Sequence, residues 1–202
     1  MALEREYTES ELWEHYQRFL EVALPVAEAE GITLALHPND PPVPSLAGVP
    51  GLFRSIASFQ RAFDLRSSAQ HGIILCLGSW AETGEDLFRV IEHFGQQNKL
   101  SYCHFQSVRG SVPRFEERFI DDGDYDPMAL LLAMQRAGFT GAIIPGHVPQ
   151  VEGDIEWRTE RAATQTPYKH PMGGYRARAY TVGFIKGMLA ALPHLAVQDT
   201  RP

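Results

Sequence analysis

Residue types that can bind a metal ion or move a proton follow four short apolar segments of this sequence. His37 comes directly after "GITLAL", Cys76 ends "GIILC", His104 lies in "LSYCHFQ", and His147 follows "AIIPG". A lone strand cysteine or histidine is most often a core residue, so the case for a site depends on their joint placement. His37, Cys76 and His104 would supply nitrogen, sulfur and nitrogen ligands and leave positions open for water or a substrate. The softness of these donors alone makes zinc the first choice of metal.

The elements that must position these residues alternate between helix and strand. The apolar runs predict strands near residues 32–37, 72–77, 100–105 and 141–146, each preceded by a stretch with helical spacing, and a C-terminal helix over 175–192. Near-continuous apolar character is typical of strands covered on both faces in a parallel sheet. We therefore expect α/β units with right-handed crossovers, and a site at the carboxyl ends of the strands.

Strand alternation decides which neighbouring side chain can face this site. Cys103 and His104 are consecutive residues of one predicted strand and must point to opposite faces, and we expect His104 to face the site. The remaining histidines are expected to be solvated surface residues; they are His15, His71, His93, His170 and His194.

Composition limits the function classes. The 202 residues are 44% hydrophobic and 21% charged, which predicts one soluble globular domain over residues 1–202. A net charge of −7 without a lysine or arginine cluster argues against nucleic acid or an anionic membrane as a partner. The N-terminus is polar, and no apolar run is long enough to span a membrane. In a reducing compartment, the two cysteines are more often free thiols or ligands than a disulfide. These features favour a location in the cytoplasm.

Six segments, in family order from about residue 8 to 192, resemble the mannonate dehydratase family of xylose-isomerase-like metal-dependent (β/α)8 barrels. They read "ELWEHYQRFLEVALPVAEAEGITLALHPNDPP", "LCLGSW", "CHFQSV", "FEERFIDDGDYDPM", "IIPGHV" and "GGYRARAYTVGFIKGMLAAL". The resemblance implies that His37, Cys76 and His104 bind Mn2+ (or Fe2+) and that His147 and Tyr175 are the catalytic acid/base groups. It also implies a hydro-lyase that converts D-mannonate, a small sugar acid, to 2-keto-3-deoxygluconate (2-dehydro-3-deoxy-D-gluconate) in hexuronate (glucuronate) catabolism.

The sequence departs from the family pattern at the site itself. Where the family has Arg-Pro-Asp-His, this chain has a glycine, Gly146, before His147, so the aspartate expected as fourth metal ligand is absent. Gln106 stands where the family has arginine, and Asn39 replaces one motif aspartate. Because the lost aspartate would help neutralise the metal, we expect a weaker affinity for the hard Mn2+ ion.

The length predicts only part of a barrel. A complete (β/α)8 barrel needs roughly 250 residues, and the matching segments correspond to the C-terminal half of the family, about four βα units. Open strand edges would favour pairing with a second copy or with a separately encoded N-terminal half. Reduced activity is therefore expected, and two alternatives stay open: a non-catalytic remnant or assembly subunit of a split barrel, and another sugar isomerase or epimerase of the same superfamily.

Overall fold

Helices and strands alternate along the chain in the computed structural model, which describes residues 5–154 and 174–196. The helices are α1 (Glu9–Glu30), α2 (Ile56–Leu65), α3 (Leu77–Glu82), α4 (Leu87–Gly95), α5 (Pro127–Arg136) and α6 (Tyr175–Ala196). The strands are β1 (Leu34–Leu36), β2 (Ser45–Leu46), β3 (Val49–Pro50), β4 (His71–Cys76), β5 (Leu100–Phe105), β6 (Ser107–Ser111), β7 (Arg114–Arg118) and β8 (Ala142–Pro145). None of the described helices is long and apolar enough to span a bilayer.

The central sheet is parallel and has the strand order β1-β4-β5-β8. These are the four strands that the apolar runs predict, and they alternate with helices, so the expected βα architecture is confirmed. Within the described residues β1 and β8 each pair with one neighbour and not with each other. The described sheet is therefore open rather than a closed barrel.

Local sequence signals begin and end the first helix. Thr8 and Glu11 form a capping box, in which the Glu11 amide donates to the Thr8 hydroxyl and the Thr8 amide donates to the Glu11 carboxylate. Gly31 ends the helix with a positive φ of 65°, a conformation that side chains other than glycine rarely adopt. The chain then enters β1, so the cap fixes where the first site-bearing strand starts.

The main core lies between one face of the sheet and the helices that cover it. Its most buried members come from β4, β5 and the helices α2 to α5, and they include Phe59, Ile73, Leu75, Trp80, Phe94, Cys103, Phe105 and Leu130. Because side chains alternate along a strand, the residues between these on β4 and β5 face the opposite side of the sheet. The candidate site lies on that side.

Two antiparallel hairpins, β2–β3 and β6–β7, are absent from the sequence-based prediction. The second interrupts the helix–strand alternation directly after β5, because Gly110 with a φ of 82° and a two-residue turn at Val112 and Pro113 reverse the chain. Its strand β7 returns Glu117 to the carboxyl end of the sheet.

The prediction that His71 is a surface residue is wrong. His71 begins the interior strand β4 and is only 1% exposed, and its Nε2 atom lies 2.7 Å from the hydroxyl of Tyr16 on α1. Burial lowers the pKa of His71 to about 4. His71 is thus a neutral core histidine whose ring is held by α1. Of the other histidines predicted to be at the surface, His170 lies outside the described residues.

Candidate active site and metal centre

Three predicted ligands come together at the carboxyl ends of adjacent strands. Cys76 on β4 pairs in register with His104 on β5, so the two side chains leave the same face of the sheet. His37 follows β1, which pairs with β4 on the other side. One ligand atom from each of the three residues lies within 4.8 Å of the others. The predicted convergence is confirmed, while the binding of a metal stays a prediction.

The neighbouring cysteine has the orientation that alternation predicts. Cys103 pairs in register with Leu75, and both are fully buried in the helix-facing core. Cys76 and Cys103 are free thiols. The chain therefore offers one cysteine at the site and one matched cysteine on the opposite face.

The local contacts of the two imidazoles leave lone pairs for a metal. The Nδ1 atom of His37 lies 2.6 Å from the carbonyl oxygen of Pro38, and this contact requires Nδ1 to carry the proton. The Nε2 lone pair of His37 is then free to ligate. Burial, followed by the nearby His37 and His147, lowers the pKa of His104, so its ring is neutral at pH 7. The two ring centroids are 5.2 Å apart.

The thiol of Cys76 is the ligand that must lose a proton. Its side chain is 1% exposed, and burial raises its pKa to about 12. The Sγ atom lies 3.2 Å from the hydroxyl of Ser79, whose Oγ donates to Asp40 Oδ2 at 3.4 Å. Only the thiolate is a metal ligand, so binding would displace the thiol proton.

The donor set fits a divalent transition-metal ion, because two imidazoles and one thiolate leave positions open for substrate oxygens. No aspartate or glutamate of the described residues belongs to this group. Gly146 has no side chain to add. Asp154, another carboxylate near the end of β8, instead accepts the backbone N–H of Arg176 at 3.2 Å and so holds the start of α6.

His147 is held by a carboxylate that sequence reasoning missed. Its Nδ1 donates to Glu117 Oε1 at 2.7 Å, and Asp40 Oδ2 lies 3.9 Å from the same nitrogen. The hydrogen bond to Glu117 is the main cause that raises the pKa of His147, against a lowering by burial. The side chain is 33% exposed, so the ring is accessible, and its Nε2 atom is the nitrogen left for a substrate. The turn residues Gly110 and Pro113 were the signal that could have revealed the hairpin and, with it, Glu117.

A buried acid lies close to Asp40 and Glu117, the two carboxylates near His147. Glu82, at the end of α3, has no exposed surface, and its pKa is raised by burial first and then by the negative charges of Asp40 and Glu117. Glu82 therefore keeps its proton to a higher pH than an ordinary carboxyl group does.

Gln106 connects the ends of β5 and β8. Its side-chain Oε1 accepts the backbone N–H of His147 at 3.0 Å, and its backbone carbonyl accepts the Tyr125 hydroxyl at 2.5 Å. Gln106 is only 2% exposed. It therefore fixes the main chain from which the His147 ring projects.

Tyr175, the second predicted acid/base residue, is the first residue of α6 and is 64% exposed. Its side chain is therefore not packed in the core. The catalytic role of Tyr175 stays a prediction.

Comparison with known proteins adds a family to this geometry. The family described as "D-mannonate dehydratase (UxuA)" matches residues 1–198. Mannonate dehydratase 2 of Halalkalibacterium halodurans is 34% identical over 74% of this chain and 44% of its own length. Mannonate dehydratase of Shouchella clausii is 38% identical over 69% of this chain and 39% of its own length. The chain thus spans less than half the length of these curated relatives.

Solved structures give the same picture of the fold. The crystal structure of mannonate dehydratase from Streptococcus suis serotype 2 superposes with a TM-score of 0.82 at 27% identity, over 95% of this chain and 52% of that one. An L-ribulose 3-epimerase structure superposes with a TM-score of 0.64 at 16% identity, over 99% of this chain and 61% of that one. At that identity the second similarity shows the fold alone.

Proposed function

Because the chain belongs to the D-mannonate dehydratase family, we propose that it carries the active site of a hydro-lyase that converts D-mannonate to 2-keto-3-deoxygluconate. The observation that carries this proposal is the joint presence of two groups at one end of the sheet. The first is the cluster of His37, Cys76 and His104, and the second is the hydrogen-bonded pair of His147 and Glu117. The proposed setting is hexuronate (glucuronate) catabolism in the cytoplasm, in keeping with two free thiols.

His37, Cys76 and His104 would hold the metal ion, for which we propose Mn2+ or Fe2+. When bound, such an ion supplies Lewis-acid stabilisation of the negative charge that develops on the substrate carboxylate. The thiolate of Cys76 adds one negative charge to the ligand set, and the two imidazoles add none. Without a carboxylate at Gly146, the site is expected to hold a hard cation weakly.

The chain's own residues would handle the two proton transfers of the reaction. The C2–H bond breaks, its electron pair forms the C2=C3 double bond, and the C3 hydroxyl leaves with a proton as water. The resulting enol then takes the keto form. We propose that His147 and Tyr175 share the roles of base at C2 and acid at the C3 hydroxyl.

Glu117 prepares His147 for such a transfer. Its hydrogen bond fixes Nδ1 as the protonated nitrogen and leaves Nε2 for the substrate. Its negative charge also stabilises the imidazolium that forms when His147 accepts a proton, consistent with the raised pKa of His147.

The open edges of the sheet suggest how the active assembly is completed. Within the described residues β1 and β8 each pair with a single neighbour, and unpaired strand edges readily bind another strand. We propose that a second copy of the chain, or a separately encoded N-terminal half, supplies the missing strands and further substrate contacts.

The deciding experiment compares two cysteine variants in an assay for the 2-keto-3-deoxy acid, with and without Mn2+. Cys76→Ala removes the proposed thiolate ligand, whereas Cys103→Ala removes a buried thiol of the same kind from the opposite face. We expect weak Mn2+-dependent turnover by the unmodified chain, its loss in Cys76→Ala and its retention in Cys103→Ala. Equal turnover in both variants would refute the assignment. Robust turnover that Cys76→Ala abolishes would instead show that another residue replaces the missing carboxylate.

A non-catalytic role is the second candidate, and Gly146 is the observation that favours it. A protein that only assembles with a complete partner has no need of a fourth ligand. Absence of turnover under every metal condition, combined with formation of a stable complex with a family member, would support this role.

A further inference from the structure

The side-chain amide of Gln106 lies between two glycines. A Cβ atom at Gly146 would come within 2.2 Å of Gln106 Oε1 and 3.0 Å of its Cβ. A Cβ atom at Gly78 would come within 2.2 Å of Gln106 Nε2 and 2.4 Å of its Cγ. Real side chains do not approach this closely, so the amide occupies the space that a side chain at either position would need.

The amide has little freedom to move away. Gln106 is 2% exposed, and its Oε1, the atom nearest to the added Cβ at Gly146, is also the acceptor for the His147 N–H at 3.0 Å. Any shift that makes room at Gly146 therefore breaks this hydrogen bond and leaves a backbone N–H without its partner. The chain therefore cannot both accommodate a side chain at position 146 and keep the hydrogen bond from the His147 N–H to Gln106.

We propose that Gln106 is a positioning residue for His147 and forms a matched pair with Gly146, so that a glutamine at position 106 requires a glycine at position 146. The positioning role rests on the proposed function, because it concerns the histidine assigned to proton transfer. The pairing itself rests only on the contacts. The pairing links two departures from the family pattern, the glutamine at position 106 and the glycine at position 146. The Gln106 amide fills the space that a side chain at position 146 would occupy.

The pairing predicts a strong coupling in thermal stability. Gly146→Ala alone must displace the amide, and we expect it to lower Tm by about 4–8 °C. In a Gln106→Ala background the space is open, and the same substitution should shift Tm by less than about 2 °C. Gly183→Ala is the control, since a Cβ there meets nothing within 4 Å on α6. Additive effects of the two substitutions would overturn the pairing.

The positioning role predicts a spectroscopic signature at His147. Gln106→Met fills nearly the same volume but has no acceptor of comparable strength, so hydrogen exchange of the His147 backbone amide should accelerate by at least about tenfold. Gln106→Glu keeps an acceptor oxygen of the same reach, and exchange should stay slow. Slow exchange in Gln106→Met would refute the positioning role, even if that variant were less stable.

Turnover separates this inference from the proposed function. Where D-mannonate dehydration is measurable, Gln106→Met should lower kcat with little change in KM, because the misplaced group is a proton-transfer residue. A chain without activity would refute the proposed function, whereas the coupling and the exchange rate decide the pairing without any turnover.

Discussion

Metal binding by this chain should release one proton from Cys76, and its affinity should therefore rise steeply with pH. Burial raises the pKa of the thiol to about 12, so the difference from pH 7 is about 5. One pKa unit corresponds to about 1.4 kcal/mol, and ionising the thiol at pH 7 thus costs roughly 7 kcal/mol. The binding free energy must offset this cost.

The change in metal affinity per pH unit depends on the number of protons released on binding and not on the cost of ionising the thiol. The pKa of His104 is lowered, so its ring is already neutral above about pH 7.5 and has no proton to release. Cys76 is then the ligand that loses a proton. The apparent association constant should increase about tenfold per pH unit between about pH 7.5 and 9, because the thiol remains protonated in the free protein throughout this range.

The assay is a competition titration of Mn2+ or Zn2+ against a chromophoric chelator at several pH values. Cys76→Ala should bind far more weakly and show no slope, whereas Cys103→Ala should keep the slope of the unmodified chain. A flat profile in the unmodified chain would mean that Cys76 is no ligand or that its thiol is already ionised below about pH 7.5. A slope that survives in Cys76→Ala would assign the released proton to another group.

Three further outcomes follow from buried polar groups. Glu82→Gln should stabilise the metal-free protein by an amount that grows between about pH 5 and about pH 8. In this range the folded unmodified protein keeps the Glu82 proton and the unfolded one does not, so the unmodified protein loses about 1.4 kcal/mol of stability per pH unit. Glu117→Gln should lower the pKa of His147 in an NMR titration, since the hydrogen bond to Glu117 is the main cause that raises it. Tyr16→Phe should cost about 1–3 kcal/mol in urea unfolding, because it leaves the buried His71 without its partner.

Matched controls make these outcomes decisive. Glu14→Gln changes an exposed carboxyl, and Tyr180→Phe removes a hydroxyl that is bonded at the surface to Asp121. Both should change stability by less than about 0.5 kcal/mol. A stability gain in Glu82→Gln that does not grow with pH would contradict the assignment of a raised pKa to Glu82. An unchanged His147 pKa in Glu117→Gln would contradict the role of Glu117. Equal losses of stability in Tyr16→Phe and Tyr180→Phe would contradict the role of the Tyr16 hydroxyl at His71.

The amino-acid sequence by itself determined the alternation of helices with the four strands of the central sheet and the convergence of His37, Cys76 and His104. Apolar runs, the capping box at Thr8 and the end signal at Gly31 are local, so they can be recognised without knowledge of the rest of the chain. His37, Cys76 and His104 could be assigned together because carboxyl ends of parallel strands meet at one edge of a sheet. Alternation then separated His104 from Cys103.

The tertiary structure decided the contacts between residues that are distant in sequence. Glu117 reaches His147 only because an unpredicted hairpin folds back over the end of β5. His71 is buried because Tyr16 of α1 and Phe63 of α2 pack against it. The fit of Gln106 against Gly146 likewise depends on distances of a few ångströms between two strands. Residue type and spacing specify a strand and its faces, but hydrogen-bond partners and steric exclusion arise from packing, which brings together atoms that no local pattern relates.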